Sequence, residues 1–126
     1  MKTMVKFSVA GAMYCLPVEA TRSVRSSAGM VALPAPNTNV AGLLPGDPPL
    51  TVLSPFGAGG GHILVLQQGD TTYGLLVDIV TGLEKIDESD IRPAPRGQHQ
   101  ELVSGSITIK GELVLLTDAT AAGEGL

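Results

Sequence analysis

The stretch TTYGLLVDIVTGLEKIDESDIRPAP, residues 71–95, is the most informative part of the sequence because it combines a strand, an acidic turn and a rigid exit. A largely buried strand is indicated by apolar residues at every second position, namely Tyr73, Leu75, Val77 and Ile79. Acidic residues follow between positions 84 and 90. The chain then leaves through Pro93 and Pro95, which lack backbone donors and fix φ. Nothing in the stretch suggests catalysis, so it indicates a framework.

The composition indicates one domain with an aliphatic core. The chain has 126 residues, of which 44% are hydrophobic but only 3% aromatic, so the core must be built from Val, Leu, Ile and Ala. A domain of this size buries roughly two-thirds of the surface that its unfolded chain exposes. The 16 Gly and 9 Pro imply many turns, which favours short strands over long helices.

Charge and cysteine content exclude several functional classes. The net charge is -4 and the eight basic residues are scattered, so we expect no nucleic-acid partner. The single cysteine, Cys15, excludes an internal disulfide and favours a reducing compartment. Lys6 interrupts the apolar core that a secretory signal would need, and no apolar run approaches the roughly 20 residues of a membrane span. We therefore expect a soluble, cytoplasmic protein without direct membrane insertion.

Short strands are predicted along the first half of the chain. Residues 5–9 and 13–18 form a predicted hairpin, and residues 29–33, 40–44 and 50–53 form further strands before the glycine-rich connector at 57–61. The polar segment 19–25 fits either a helical turn or a twisted strand.

After that connector the pattern repeats at a fixed offset. The pairs 59 positions apart are Tyr14 and Tyr73, Leu16 and Leu75, Val18 and Val77, Glu19 and Asp78, Val24 and Leu83, and Pro34 and Pro93. The offset later drifts to 63, where Val40 and Val103 correspond. The chain is thus predicted to be all-β, with two related halves at about 5–56 and 62–118. Halves of this size are marginal alone, so they should pack together or exchange strands as two small barrels, with a binding site in the groove between them.

Residues that could carry chemistry have no partners at suitable spacing. His62 and His99 lack a neighbouring Cys or paired carboxylate, so no metal site is predicted. Cys15 lies in the middle of a strand and is interpreted as a core hydrophobe. The acidic run at 87–90 lacks the pattern of a calcium loop and is interpreted as a solvated turn with Asp87 as its cap. We therefore expect neither an enzyme nor a cofactor.

The string IDESDIRPAP after TYGLLVDIVTGLEKI resembles the second half of CheW-like domains, the coupling adaptors of prokaryotic chemotaxis arrays. In the first half, VKF followed by YCLPV is similar to the family's opening hairpin, and VAGLL at 40–44 to its apolar segment. Residues 113–117 resemble its closing strand. The resemblance covers nearly the whole chain and implies one domain, residues 1–126. Its fold would be two intertwined five-stranded barrels of SH3-like type, with short helical turns.

The resemblance also implies a function, that of a non-enzymatic adaptor coupling chemoreceptors to a chemotaxis histidine kinase in two-component signalling. The receptor's helical cytoplasmic tip would lie in an apolar groove between the barrels, and the kinase regulatory domain, similar in fold, would meet a barrel end. The candidates for the receptor groove are Val18, Thr21, Val24, Leu43, Leu44, Val103 and Ser104. Each apolar candidate could instead belong to the core.

One departure from the family concerns residues 45–48. Where the family usually carries Asn-Leu-Arg-Gly, this chain has Pro-Gly-Asp-Pro, so that Asp47 stands at the position of the expected arginine. An alternative is therefore a divergent CheW-like binding module that no longer couples receptor and kinase and serves another protein partner. The small, Gly-rich tail at 119–126 is expected to fray.

Overall fold

The computed structural model describes residues 1–33, 39–57, 60–97 and 100–123. These residues form short β-strands, single 3₁₀ turns and one helical turn. The strands are β1 (Lys2–Val9), β2 (Ala12–Pro17), β3 (Thr21–Ser26), β4 (Val31–Ala32), β5 (Val40–Leu44), β6 (Leu50–Leu53), β7 (His62–Gln68), β8 (Thr71–Val77), β9 (Ile79–Ile86), β10 (Gly105–Ile109) and β11 (Glu112–Leu116). The 3₁₀ turns are Val18–Ala20, Glu88–Asp90 and Gln100–Leu102, and the helix α1 is Ala119–Ala122.

The strands form two sheets. The first has the order β10-β11-β2-β1-β9, and the second has the order β3-β7-β8-β6-β5-β4. The first sheet is closed by a backbone pair between Arg92 and Ser106, whose two N···O distances are 2.8 and 2.9 Å. The predicted all-β fold with two intertwined barrels is confirmed. The second sheet has six strands rather than five because the two-residue β4 adds to β5.

The two halves of the chain exchange strands. The first sheet joins β1 and β2 of the first half to β9, β10 and β11 of the second half, and β1 pairs with β9. The second sheet joins β7 and β8 of the second half to β3, β4, β5 and β6 of the first half, and β7 pairs with β3. The predicted strand through Ile79 in fact ends at Val77, and a second strand begins after Asp78 in the other sheet. The break is held by Asp78, whose N–H donates to the Ser8 carbonyl (2.8 Å) and whose Oδ2 accepts from the Ala10 N–H (2.8 Å).

Central strands are apolar on both faces because one face lines a barrel and the other packs between the barrels. In β7, Ile63 and Val65 belong to the interior of the second barrel, whereas Leu64 and Leu66 belong to the layer between the barrels. Cys15 lies in the interior of the first barrel. Each large apolar side chain buried in this way stabilises the fold by roughly 1.5–3 kcal/mol. The central layer therefore fixes the two barrels against each other.

The tail is ordered where it meets this layer, so the expectation of fraying was wrong for residues 119–123. Asp118 caps α1, since its Oδ1 accepts from the Ala121 N–H (2.7 Å). Ala119 and Ala122 are buried, and the Tyr73 hydroxyl donates to the Ala119 carbonyl (2.6 Å). Alanine is small enough to pack directly against the layer. Residues 124–126, like the Pro-Ala-Pro string at 34–36, lie outside the described residues.

Candidate functional site

An apolar groove of about 190 Å³ lies between the edge strands β3 and β9. Its floor is formed by the buried side chains of Val5 and Leu64. Its two lips are Thr21, Arg22, Ser23 and Val24 from β3, and Val80, Gly82 and Leu83 from β9. Val24 is 47% exposed and Leu83 is 64% exposed, so both lips present apolar surface to solvent. Exposed apolar surface gathered around one groove is a mark of an interaction site.

Both lips carry a β-bulge. In β3, Arg22 is the extra residue, because Thr21 pairs with Leu66 while Ser23 pairs with the adjacent Val65. In β9, Thr81 is the extra residue in the same way. Bulges interrupt the row of free backbone groups that an added strand would need. The groove is thus better suited to the apolar face of a helix than to strand addition.

Arg22 places a positive charge on the β3 side of the groove. Its Nε donates to Oε1 of Gln67 (2.8 Å), and its Nη1 donates to the carbonyls of Glu19 (2.8 Å) and Thr21 (3.0 Å). Thr81, the bulge residue of β9, is uncharged, and its hydroxyl donates to the Lys6 carbonyl (3.1 Å). The two lips are therefore alike in apolar character but differ in charge.

Two of the seven candidates predicted from the sequence, Thr21 and Val24, line this groove. Leu44 is 5% exposed in the interior of the second barrel and Val103 is 8% exposed in the layer between the barrels, so the core alternative applies to both. Leu43 is half-buried in β5, away from the groove lining. The structure thus does not bring these candidates together on one surface.

The remaining two candidates also lie elsewhere. Val18 is half-buried in the turn before β3 and packs against the central layer. Ser104 lines a different cavity, of about 220 Å³, at the end of the first barrel. The other residues lining this barrel-end cavity are Lys2, Met4, Pro17, Ile86, Glu88, Ile91, Leu116, Thr117 and Asp118. It shares no residue with the groove.

Val80 and Leu83 were not predicted as site residues, although the sequence contained a signal for them. Leu83 lies 59 positions after Val24, and Val80 lies 59 positions after Thr21. The internal duplication therefore relates each predicted groove residue on β3 to a lining residue on β9. Asp47, at the position of the expected arginine, is exposed in the connection between β5 and β6 and lines neither the groove nor the barrel-end cavity.

The groups with potential reactivity are in structural roles. Burial, and secondarily the Glu84 carboxylate, raise the pKa of the Cys15 thiol to about 12. The Nδ1 atom of the His62 ring lies 2.8 Å from the Asp78 carbonyl, whereas His99 lies outside the described residues. Within the described ranges, no three His, Cys, Asp or Glu side chains come together as metal ligands, and no helix is both long and apolar enough to cross a bilayer.

A double barrel with two separate surfaces, one apolar and one of mixed charge, defines a protein-binding scaffold. The model of the CheW-like domain family matches residues 50–123, more than half of the chain, and the chain therefore belongs to this family. It is a non-enzymatic adaptor domain of the chemotaxis class. The scaffolding protein TtCheW from Thermoanaerobacter tengcongensis has the same fold, with a TM-score of 0.79. It is 19% identical, and the alignment covers 94% of this chain and 84% of that chain. No curated protein is similar enough in sequence to count as a relative.

Proposed function

We propose that this domain couples the cytoplasmic tip of a chemoreceptor to the regulatory domain of a chemotaxis histidine kinase. The observation that carries the proposal is the apolar groove, with Val24 and Leu83 exposed on its lips and Val5 and Leu64 at its floor. A helix of the receptor tip would place an apolar face in this groove, as amphipathic helices do in other groove-binding complexes. A cytoplasmic location follows from this proposal because that tip is cytoplasmic.

A coupling protein needs a second surface that stays free when the first is occupied. The barrel-end cavity meets this condition because none of its lining residues belongs to the groove. Its rim carries Lys2, Glu88 and Asp118, and charged rims favour fast, reversible association and the rejection of wrong partners. We assign the kinase regulatory domain to this end of the first barrel, where loops and strand ends would make the contact.

Substitutions in the groove test the receptor contact. Val24→Glu and Leu83→Glu each put a carboxylate into an apolar surface, and burying it beneath a helix is costly. Each should lower the affinity for a purified receptor-tip fragment at least about tenfold, which corresponds to roughly 1.4 kcal/mol. Affinity for the kinase domain should stay unchanged, and Glu88→Lys should show the opposite selectivity. Isothermal titration calorimetry with each partner measures both affinities.

Leu113→Glu is the matched control for the groove variants. Leu113 is 53% exposed on β11, so the same change is made on an apolar surface residue outside both sites. Receptor affinity that is unchanged in Val24→Glu and Leu83→Glu, or a natural protein that binds neither partner, would contradict the proposal.

A second candidate is a divergent module that serves another protein partner, and the observation favouring it is Asp47. Its carboxylate is exposed where an arginine is expected, so the charge offered at that point of the surface is reversed. Asp47→Arg, measured in the same titrations, separates the two candidates. Receptor binding that is absent from the natural protein but present in this variant would favour the divergent module.

A further inference from the structure

The groove is lined by residues that the internal duplication relates in pairs. Eight of its nine lining residues form four pairs at the offset of 59: Val5 and Leu64, Thr21 and Val80, Ser23 and Gly82, and Val24 and Leu83. Arg22 is the ninth lining residue, and its equivalent, Thr81, is not part of the lining. The groove therefore lies on the axis that relates the two halves.

The strand pairing and the bulges of the backbone follow the same offset of 59. Val24 pairs with Leu64 as Leu83 pairs with Val5, and the bulges fall at the equivalent positions Arg22 and Thr81. Each half also divides its strands between the two sheets at the equivalent point, after β2 in the first half and after β8 in the second half. A reciprocal exchange of this kind is the mark of a two-fold relation rather than a translation.

This two-fold axis must pass from the floor of the groove out through its mouth. The reason is that the two-fold rotation exchanges the two floor residues with each other and the two lips with each other. The same rotation keeps the open side of the groove facing the solvent. A rotation of 180° about that axis reverses the direction of a helix lying in the groove but leaves the apolar lining nearly unchanged. Apolar contacts alone therefore cannot decide in which direction a helix binds.

Arg22 breaks this symmetry, because the equivalent Thr81 carries no charge. We propose that Arg22 sets the direction of the helix bound in the groove, by favouring the direction that brings an acidic side chain to the β3 lip. The guanidinium is held by Gln67 and by two backbone carbonyls, while its Nη2 donates in none of these three bonds. A guanidinium fixed in this way can still donate from Nη2 to a carboxylate, in a charge-assisted hydrogen bond. The inference rests on the proposed function only in taking a helix as the occupant.

The test uses synthetic amphipathic helical peptides with a nitroxide at the N-terminus. Both peptides carry leucines at positions i, i+3, i+4 and i+7, and they differ in having a single glutamate near the N-terminal or the C-terminal end. Paramagnetic broadening is measured at the amides of Thr21 and Val80, which the two-fold axis relates. In the natural protein, the amide nearer to the N-terminus of the bound peptide should broaden about threefold more than the other amide, a ratio that an exposed charge pair can produce. The more strongly broadened amide should change between Thr21 and Val80 when the glutamate is moved from one end of the peptide to the other.

Variants of Arg22 isolate its charge. Arg22→Thr installs the residue found at the equivalent bulge and should make the broadening of the two amides nearly equal. Arg22→Lys keeps the charge and should keep the broadening unequal. Arg25→Thr is the matched control, since Arg25 is exposed on the same strand but does not line the groove.

Two results would overturn the proposal. One is unequal broadening that persists in Arg22→Thr, and the other is the absence of any perturbation of groove amides by either peptide. Failure of the proposed function would look different, because the synthetic helices would bind in one direction while the receptor-tip fragment did not bind at all.

Discussion

At the scale of single residues, Cys15 shows how burial decides reactivity. Its side chain is fully buried beside Met4 and Ile107 in the interior of the first barrel. Burial is the main reason that the thiol pKa rises to about 12, and the Glu84 carboxylate adds to the rise while Lys6 opposes it. Since the thiolate is the reactive form, Cys15 is inert at neutral pH. The sequence-based interpretation of this residue as a core hydrophobe agrees with these surroundings.

The raised thiol pKa predicts a pH-dependent contribution to stability. A free thiol titrates near 9.0, so above that pH the unfolded chain loses this proton while the folded chain keeps it. The contribution of the protonated Cys15 thiol to the free energy of unfolding is fully present below pH 9.0. It is lost toward pH 12, by about 1.4 kcal/mol per pH unit. The natural protein should therefore lose stability relative to Cys15→Ala over this window. Urea unfolding of both proteins between about pH 8 and pH 10 measures the difference, and a constant difference would contradict the prediction.

At the scale of elements, the central strands were predictable from the sequence, whereas the edge strands β3 and β9 were not. β7 and β8 have apolar side chains on both faces, because each face meets a different part of the core. β3 and β9 instead have one free edge and mostly exposed side chains, so their sequences lack an apolar period. The sequence therefore leaves segment 19–25 open between a helical turn and a twisted strand, and it predicts the residues of β9 to be the end of one strand and an acidic turn.

The same reason explains why the candidate site was only partly predicted. Both lips of the groove are edge strands, so the residues that form it carry little pattern of their own. Thr21 and Val24 are predicted from the family resemblance. Leu83 is found only when the offset of 59 residues is applied to Val24. Pairing between the halves depends on the three-dimensional register, which local periodicity does not contain.

Gly42 gives a testable prediction for the pairing of β4 with β5. A Cβ atom at Gly42 would overlap the carbonyl oxygen of Val31, which is backbone and cannot move aside cheaply. Gly42→Ala should therefore detach β4 and lower the free energy of unfolding by about 1–3 kcal/mol, the usual cost of overpacking. Hydrogen exchange at the Leu33 amide, which donates to the Ala41 carbonyl (3.2 Å), should accelerate.

Gly46→Ala is the control for this prediction. The nearest atom to its added Cβ would be the Pro48 carbonyl oxygen at 3.4 Å, an ordinary contact, so stability should be nearly unchanged. A Leu33 amide that stays equally protected in Gly42→Ala would show that β4 accommodates the extra methyl group.

At the scale of the whole molecule, the layer between the barrels holds the two proposed binding surfaces in a fixed relation. Phe7 and Phe56 contact Tyr14 with ring centroids 5.6 and 4.4 Å away, which ties β1 and β2 of the first barrel to the segment after β6 of the second. The groove lies where the edge strands of the two barrels meet, and the barrel-end cavity lies on the first barrel alone. A partner in the groove thus touches both halves of the chain at once.

The exchange of strands predicts that neither half folds alone. The sequence leaves open whether the two halves pack together or exchange strands. A fragment of residues 1–59 lacks β7 and β9, the partners of β3 and β1, and a fragment of residues 60–126 lacks β1 and β3 in turn. Chains of this length are marginal even with a complete core, and unpaired edges favour aggregation. By circular dichroism, each fragment alone should show no cooperative thermal transition, whereas an equimolar mixture should recover one. The intact chain cut within the connector after folding is the control, because it keeps every strand pair. A cooperative transition in either isolated half would mean that its strands find partners within that half. The reciprocal exchange of strands, which places the groove on the two-fold axis, would then be dispensable for folding.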